Sequence, residues 1–122
     1  MDPRALQVAR FARRIGAVLF MGAAAYHVLG LVRPDLAVPS PPWRHALFVA
    51  INAGLAAALV ARVRGLVFII LALTLQQIYS HGTYAWQVWV TERRLDWASV
   101  VVLLGLPALL LAVAAEDRSR AK

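Results

Sequence analysis

The sequence of 122 residues contains no cysteine. Without a thiol, dithiol redox chemistry, thiolate-bound zinc and iron–sulfur clusters are excluded. Charge is also scarce, because charged residues make up 16% of the chain and hydrophobic residues 61%. Soluble domains have about 25% charged and about 45–50% apolar residues. This composition excludes a water-soluble globular fold and a disordered chain, and it indicates an integral membrane protein.

Four stretches of the sequence are apolar and have no Asp, Glu, Lys or Arg in their interior. They cover about residues 15–32, 45–61, 65–82 (with an extension to 92 left open) and 97–115. Each is close to the about 20 residues that a helix needs to cross hydrocarbon. We therefore predict an all-α integral membrane protein with an antiparallel four-helix transmembrane bundle. Residues 1–122 would form a single membrane domain, in which residues 1–14 are an interfacial basic segment.

The basic residues are unevenly distributed between the two sides of this topology. Nine lie at the N-terminus, in the second loop or at the C-terminus, and four lie in the other two loops. The nine are Arg4, Arg10, Arg13, Arg14, Arg62, Arg64, Arg118, Arg120 and Lys122, and the four are Arg33, Arg44, Arg93 and Arg94. Since cytoplasmic loops carry the excess of basic residues, both termini are predicted to be cytoplasmic. We expect a multi-pass protein of the cell inner (plasma) membrane.

The net charge of +7 could suggest binding to nucleic acid. The charges stand in small groups at the ends of the apolar stretches, however, and leave no soluble basic surface. Anionic lipid headgroups are the better partner for such groups. We therefore expect the lipid bilayer, and not a nucleic acid, as the partner of the basic residues.

Polar side chains within the apolar stretches are the candidate functional residues, because each is costly in hydrocarbon unless it is paired or functional. Gln77, Ser80 and His81 recur at helical spacing and share one face, while Gln76 begins an adjacent stripe. In the predicted topology the histidines lie in the outer half of the membrane. We predict a ligand pocket there that is open to the outside and surrounded by His27, Asn52, Gln77 and His81. The full set of candidate ligand-binding residues is His27, Asn52, Gln76, Gln77, Tyr79, Ser80 and His81.

The histidines raise the question of a metal or cofactor. His27, His45 and His81 are candidate metal ligands, but their spacing matches no metal motif, and we predict no metal site. His27 and His81 on two helices could instead hold a haem between them. A quinone or a lipid requires only an apolar slot with one or two polar groups. Quinone and haem both remain open as cofactors.

Three classes of function fit this pattern. The first is a non-catalytic subunit or binding module with a polar pocket for a lipophilic ligand (quinone, lipid or haem). The second is a small membrane enzyme that uses His81 or His27 as acid or base. The third is an oligomeric pore or transporter lined by the third helix. The sequence does not decide whether the protein is an enzyme, and we expect a homo-oligomer or a place in a larger membrane complex.

Overall fold

A computed structural model of the chain describes residues 3–37 and 40–120. These residues form four long helices and one short 3-10 helix, and no strand occurs among them. The elements are α1 (Pro3–Val32), the 3-10 helix (Pro34–Leu36), α2 (Pro42–Ala61), α3 (Leu66–Glu92) and α4 (Trp97–Arg120). Lys122, which contributes to the predicted orientation, lies outside the described residues.

All four long helices are long and apolar enough to cross a membrane. The all-helical class and the four apolar helices of the prediction are therefore confirmed. The described part of the basic segment is continuous with the first apolar stretch, because α1 runs from Pro3 to Val32 without a break. The extension of the third helix to residue 92, which the sequence left open, is present, because α3 ends at Glu92.

Proline and left-handed residues set the limits of the helices. Pro42 is the first residue of α2, where its fixed φ suits a helix and its missing N–H is not needed. At the other end, Arg62 adopts a left-handed conformation and its N–H bonds to the carbonyl of Ala58. Gly65, with φ of +75°, immediately precedes α3. The connection between α2 and α3 is consequently only four residues long, 62–65.

The contacts divide the chain into two compact units, and Arg13–Val63 forms one of them. In this unit Arg13 Nε donates to the carbonyl of Leu59 at 2.8 Å, and His27 Nδ1 lies 3.0 Å from His45 Nδ1. Moving forward along α1 from Arg13 to His27 corresponds to moving back along α2 from Leu59 to His45. The two helices are therefore antiparallel neighbours.

The remaining described residues, which include α3 and α4, form the second unit. Buried side chains on α3 include Leu66, Ile70 and Thr74, which follow one another at the four-residue spacing of a helix face. Buried side chains on α4 are Ser99, Leu109, Val113 and Glu116. His81 Nδ1 lies 2.9 Å from Ser99 Oγ, so the first turn of α4 stands beside the middle of α3.

Candidate functional site

A chain of three polar side chains links α3 to the beginning of α4. The Ser99 hydroxyl donates to Asp96 Oδ2 at 2.5 Å, and Ser99 Oγ lies 2.9 Å from His81 Nδ1. Ser99 is fully buried. Since its single proton is directed at the carboxylate, its oxygen is left to accept a hydrogen bond from His81.

This chain of hydrogen bonds determines which nitrogen of His81 carries the proton. Nδ1 must be protonated to donate to Ser99 Oγ, so Nε2 of the neutral ring is an acceptor. Within the described residues the ring makes no other hydrogen bond. His81 is only partly buried. It is therefore an oriented imidazole with an accessible lone pair on Nε2.

Asp96, the last member of this chain of hydrogen bonds, is held in place because it is also the N-cap of α4. The backbone N–H of Ser99 donates to Asp96 Oδ2 at 3.1 Å, as an N-cap aspartate requires. The hydrogen bond from the Ser99 hydroxyl is the main cause that lowers the pKa of Asp96 below its usual range. The carboxylate thus stays ionised at neutral pH and holds Ser99 in its acceptor role.

Two further polar groups on α3 lie on the same stripe as His81. Thr74, Gln77 and His81 are spaced by three and four residues and so share one side of the helix. Thr74 Oγ1 is buried without a hydrogen-bond partner. No hydrogen bond to Gln77 occurs within the described chain either, and this side chain is half-buried.

Comparison with the other threonines of α3 shows that Thr74 is unusual. Thr83 Oγ1 donates to the carbonyl of Tyr79 at 2.8 Å, and Thr91 Oγ1 donates to that of Gln87 at 2.8 Å. A helical threonine ordinarily satisfies its hydroxyl in this way. Thr74 does not, so its hydroxyl is a buried polar group without a partner in the described part of the chain.

The helices α3 and α4 extend to different levels beyond the contact between His81 and Ser99. Ser99 lies in the first turn of α4, whereas α3 continues beyond His81 to Glu92, which is about three further turns. Above His81, α3 therefore extends past the start of α4. The face that carries His81 is still covered further along, because Val88, seven residues on, is buried.

His27 belongs to the unit Arg13–Val63 and has a different environment. Its ring stacks on Phe48, with ring centroids 5.0 Å apart, and its Nδ1 lies 3.0 Å from Nδ1 of His45. One of these two nitrogens must donate and the other accept. His45 is 4% exposed, and Arg44 lies 5.9 Å from the Phe48 ring centroid.

The other candidate residues from the sequence are distributed over several environments. Asn52 is buried and donates to the carbonyl of Phe48 on its own helix at 2.7 Å. Gln76 is exposed and its amide lies 3.4 Å from the Ser80 hydroxyl. Tyr79 is 75% exposed. The expected convergence of His27 and Asn52 with the α3 residues stays a prediction.

Three partners of the candidate residues, Asp96, Ser99 and His45, are absent from the predicted site. The position of Asp96 carries a signal, because an Asp before an apolar run is a typical helix N-cap. No spacing in the sequence links Ser99 to His81 or His45 to His27.

The described residues contain no group of three or more His, Asp or Glu side chains that could hold a metal ion. Comparison of the chain with protein-family models, with curated proteins and with solved structures found no match.

Proposed function

We propose that this chain is a small multi-pass protein of the inner (plasma) membrane that binds a lipophilic, hydroxyl-bearing ligand, such as a quinol, at His81. It would act as a non-catalytic subunit or binding module, with both termini in the cytoplasm. The observation that carries the proposal is the row of Thr74, Gln77 and His81 on one side of α3. Three polar groups of this row have no hydrogen-bond partner in the described chain: Thr74 Oγ1, the Gln77 carboxamide and His81 Nε2. A ligand that supplies these partners removes the cost of leaving them unsatisfied in a low-dielectric environment.

The chemistry of the row favours a ligand with two separated oxygens. His81 Nε2 accepts a hydrogen bond from a hydroxyl, and the Gln77 carboxamide both donates and accepts hydrogen bonds. These residues are one helical turn apart, about 5.4 Å along the axis, which is comparable to the separation of the two ring oxygens of a quinone. Thr74 lies one turn deeper, and its hydroxyl is buried and lacks a partner.

The rest of α3 and α4 fits an amphipathic ligand. Beyond Thr74, the buried residues of α3 are apolar, among them Leu66 and Ile70. The ligand's head would reach His81 at the level where α4 begins, and its tail would lie along the apolar part of the helices. Ligand sites in membrane bundles combine an apolar wall with a few polar groups in this manner.

The inner-membrane orientation is supported by the distribution of the basic residues. In that orientation the loop that joins α3 to α4 is external, and His81 lies in the outer half of the membrane. A ligand dissolved in the bilayer would reach the site laterally, without passing through water.

The enzyme hypothesis is favoured by the same hydrogen-bond chain, because an imidazole oriented through Nδ1 is suited to act as a general base through Nε2. The two functions differ in outcome. A binding module retains its ligand unchanged, whereas an enzyme turns it over in the presence of a suitable acceptor.

The proposal is tested by titrating the purified protein in lipid nanodiscs with a short-chain quinone and its quinol. Quenching of tryptophan fluorescence reports binding, since Trp97 is two residues from Ser99. We expect saturable binding of the quinol, weakened at least tenfold in His81→Leu and several-fold in Thr74→Val. Thr91→Val is the matched control, because the Thr91 hydroxyl is already bonded to its own helix.

Three results would overturn the proposal. Equal affinity in His81→Leu and the wild type would place the ligand elsewhere, and consumption of the quinol would make the protein an enzyme. A Soret band in the purified protein that disappears in His81→Leu would replace the quinol with haem.

A further inference from the structure

The outward side of α3 differs from that of the other helices in the middle of the membrane. Exposed residues of α4 between Val101 and Leu111 are all apolar, as a lipid-facing surface requires. The same holds for the exposed residues of α2 between Leu47 and Ala57. On α3, by contrast, Gln76 is exposed near the centre of the span, and Tyr79 is exposed one turn above it.

The depth of Gln76 makes this exposure costly. Gln76 lies ten residues after Leu66, hence about 15 Å along the helix, which is the middle of a hydrocarbon layer about 30 Å thick. Its amide makes one long contact of 3.4 Å to Ser80, which leaves the carbonyl and the second N–H unpaired within the described chain. Lipid tails offer no partner for them.

Gln76 and Tyr79 belong to a longer exposed stripe of α3. Its members alternate at intervals of four and three residues, which is the spacing of the seam between two packed helices. The stripe consists of Ala72, Gln76, Tyr79, Thr83, Trp86 and Val90, all of them exposed. No charged residue interrupts it.

We propose that this stripe of α3 is the contact surface for a second copy of the same chain, packed in parallel. Two copies inserted in the same orientation present Gln76 at the same depth. A carboxamide has both donors and acceptors, so two Gln76 side chains satisfy one another across a two-fold axis. Carboxamides at such positions associate transmembrane helices and fix their register.

The absence of charge from the stripe is a further argument for a second copy. Identical surfaces that carry charge repel one another, whereas this stripe combines apolar and uncharged polar side chains. The small side chain of Ala72 allows close approach below Gln76, and Tyr79 and Trp86 provide area above it. This surface lies on a different side of α3 from Thr74, Gln77 and His81, so dimerisation does not depend on the proposed ligand.

Because the chain has no native cysteine, single cysteines test this surface directly. Ala72→Cys places a thiol on the stripe, and Ala108→Cys places one on the exposed apolar side of α4. The purified variants in liposomes are oxidised with copper–phenanthroline at increasing lipid-to-protein ratios. We expect most of Ala72→Cys to form a disulfide dimer, at a ratio where Ala108→Cys shows at least fivefold less.

The role of the amide is tested by Gln76→Leu in the Ala72→Cys chain, with Gln77→Leu as the matched control. We expect Gln76→Leu to lower the dimer yield several-fold and Gln77→Leu to leave it unchanged. Sedimentation in detergent of wild type and Gln76→Leu, without any cysteine, gives an independent reading: dimer for the first and monomer for the second. A monomeric wild type, equal cross-linking at Ala72 and Ala108, or dimers that persist in Gln76→Leu would overturn the proposal.

Discussion

At the scale of single residues, the pairing of α1 with α2 depends on the glycine at position 30. The His45 ring occupies the space where a side chain would begin, because a Cβ on Gly30 would lie 2.6 Å from His45 Cε1. His45 can therefore be buried and reach His27 only while residue 30 has no side chain.

Gly30→Ala should destabilise the protein by about 1–3 kcal/mol, the usual result of overpacking a buried contact. Gly22→Ala is the matched control, since nothing lies within 4 Å of a Cβ there. Alanine also favours a helix over glycine, so this variant should be neutral or stabilised. Thermal unfolding followed by tryptophan fluorescence measures both. Similar melting temperatures for the two variants would show that His45 does not lie against Gly30.

A second residue-scale prediction concerns Asp96, whose pKa is held below its ordinary value of 3.8 by the Ser99 hydroxyl. A carboxyl group with a lowered folded pKa stabilises the protein above its unfolded pKa, and this stabilisation is lost as the pH falls through the folded value. Between pH 6 and pH 3, the melting temperature of the wild type should therefore fall further than that of Asp96→Asn.

Asp96→Asn is informative because asparagine is as good an N-cap as aspartate. The helix start is therefore retained while the charge is removed. Parallel melting curves of the two proteins across this pH range would contradict the hydrogen bond between Ser99 and Asp96.

At the scale of helices, Arg13 connects α1 to the end of α2. Leu59 lies in the last turn of α2, where carbonyls lack partners within the helix. The N–H groups of Arg62 and Val63 both bond to the carbonyl of Ala58, and the carbonyl of Leu59 accepts instead from Arg13 Nε. A buried arginine thus completes the end of a neighbouring helix.

Arg13→Met should destabilise the protein by about 1.5–3 kcal/mol, because the Leu59 carbonyl would lose a charge-assisted hydrogen bond. The neighbouring Arg14 is exposed, so Arg14→Met should change stability by less than about 0.5 kcal/mol. Thermal unfolding of the two variants side by side distinguishes them. An equal effect of both substitutions would argue that only the positive charge matters.

The helices also show what the sequence could predict. Four apolar helices follow from composition and length, because a chain in hydrocarbon must satisfy its backbone internally. The hydrogen-bond chain from His81 to Asp96 could not be derived in this way. It joins residues of two helices whose relative register is determined by packing, and no spacing in the sequence encodes that register.

The same limit applies to polar residues within one helix. Periodicity correctly groups Gln77 and His81 on one side of α3, since it depends only on helix geometry. It does not distinguish Thr74, with its unpaired hydroxyl, from Thr91, whose hydroxyl bonds to its own backbone. Side-chain conformation decides that difference.

At the scale of the whole molecule, the proposed orientation predicts which loops are accessible from outside the cell. Leu95 and Val63 are both exposed loop residues and give a matched pair. In intact cells a membrane-impermeant maleimide should label Leu95→Cys, and it should label Val63→Cys only after the membrane is opened. Labelling of Val63→Cys in intact cells would reverse the orientation.

In the proposed binding module, the hydrogen-bond chain from Asp96 through Ser99 leaves His81 Nε2 as an acceptor for a ligand hydroxyl. Nitrogen-15 NMR of the histidine side chains in nanodiscs measures this directly, with His81→Gln to assign the signals. We expect a proton on Nδ1, and a shift of the Nε2 resonance when the quinol is added. A proton on Nε2, or an Nε2 resonance that does not respond to the quinol, would contradict a ligand site at His81.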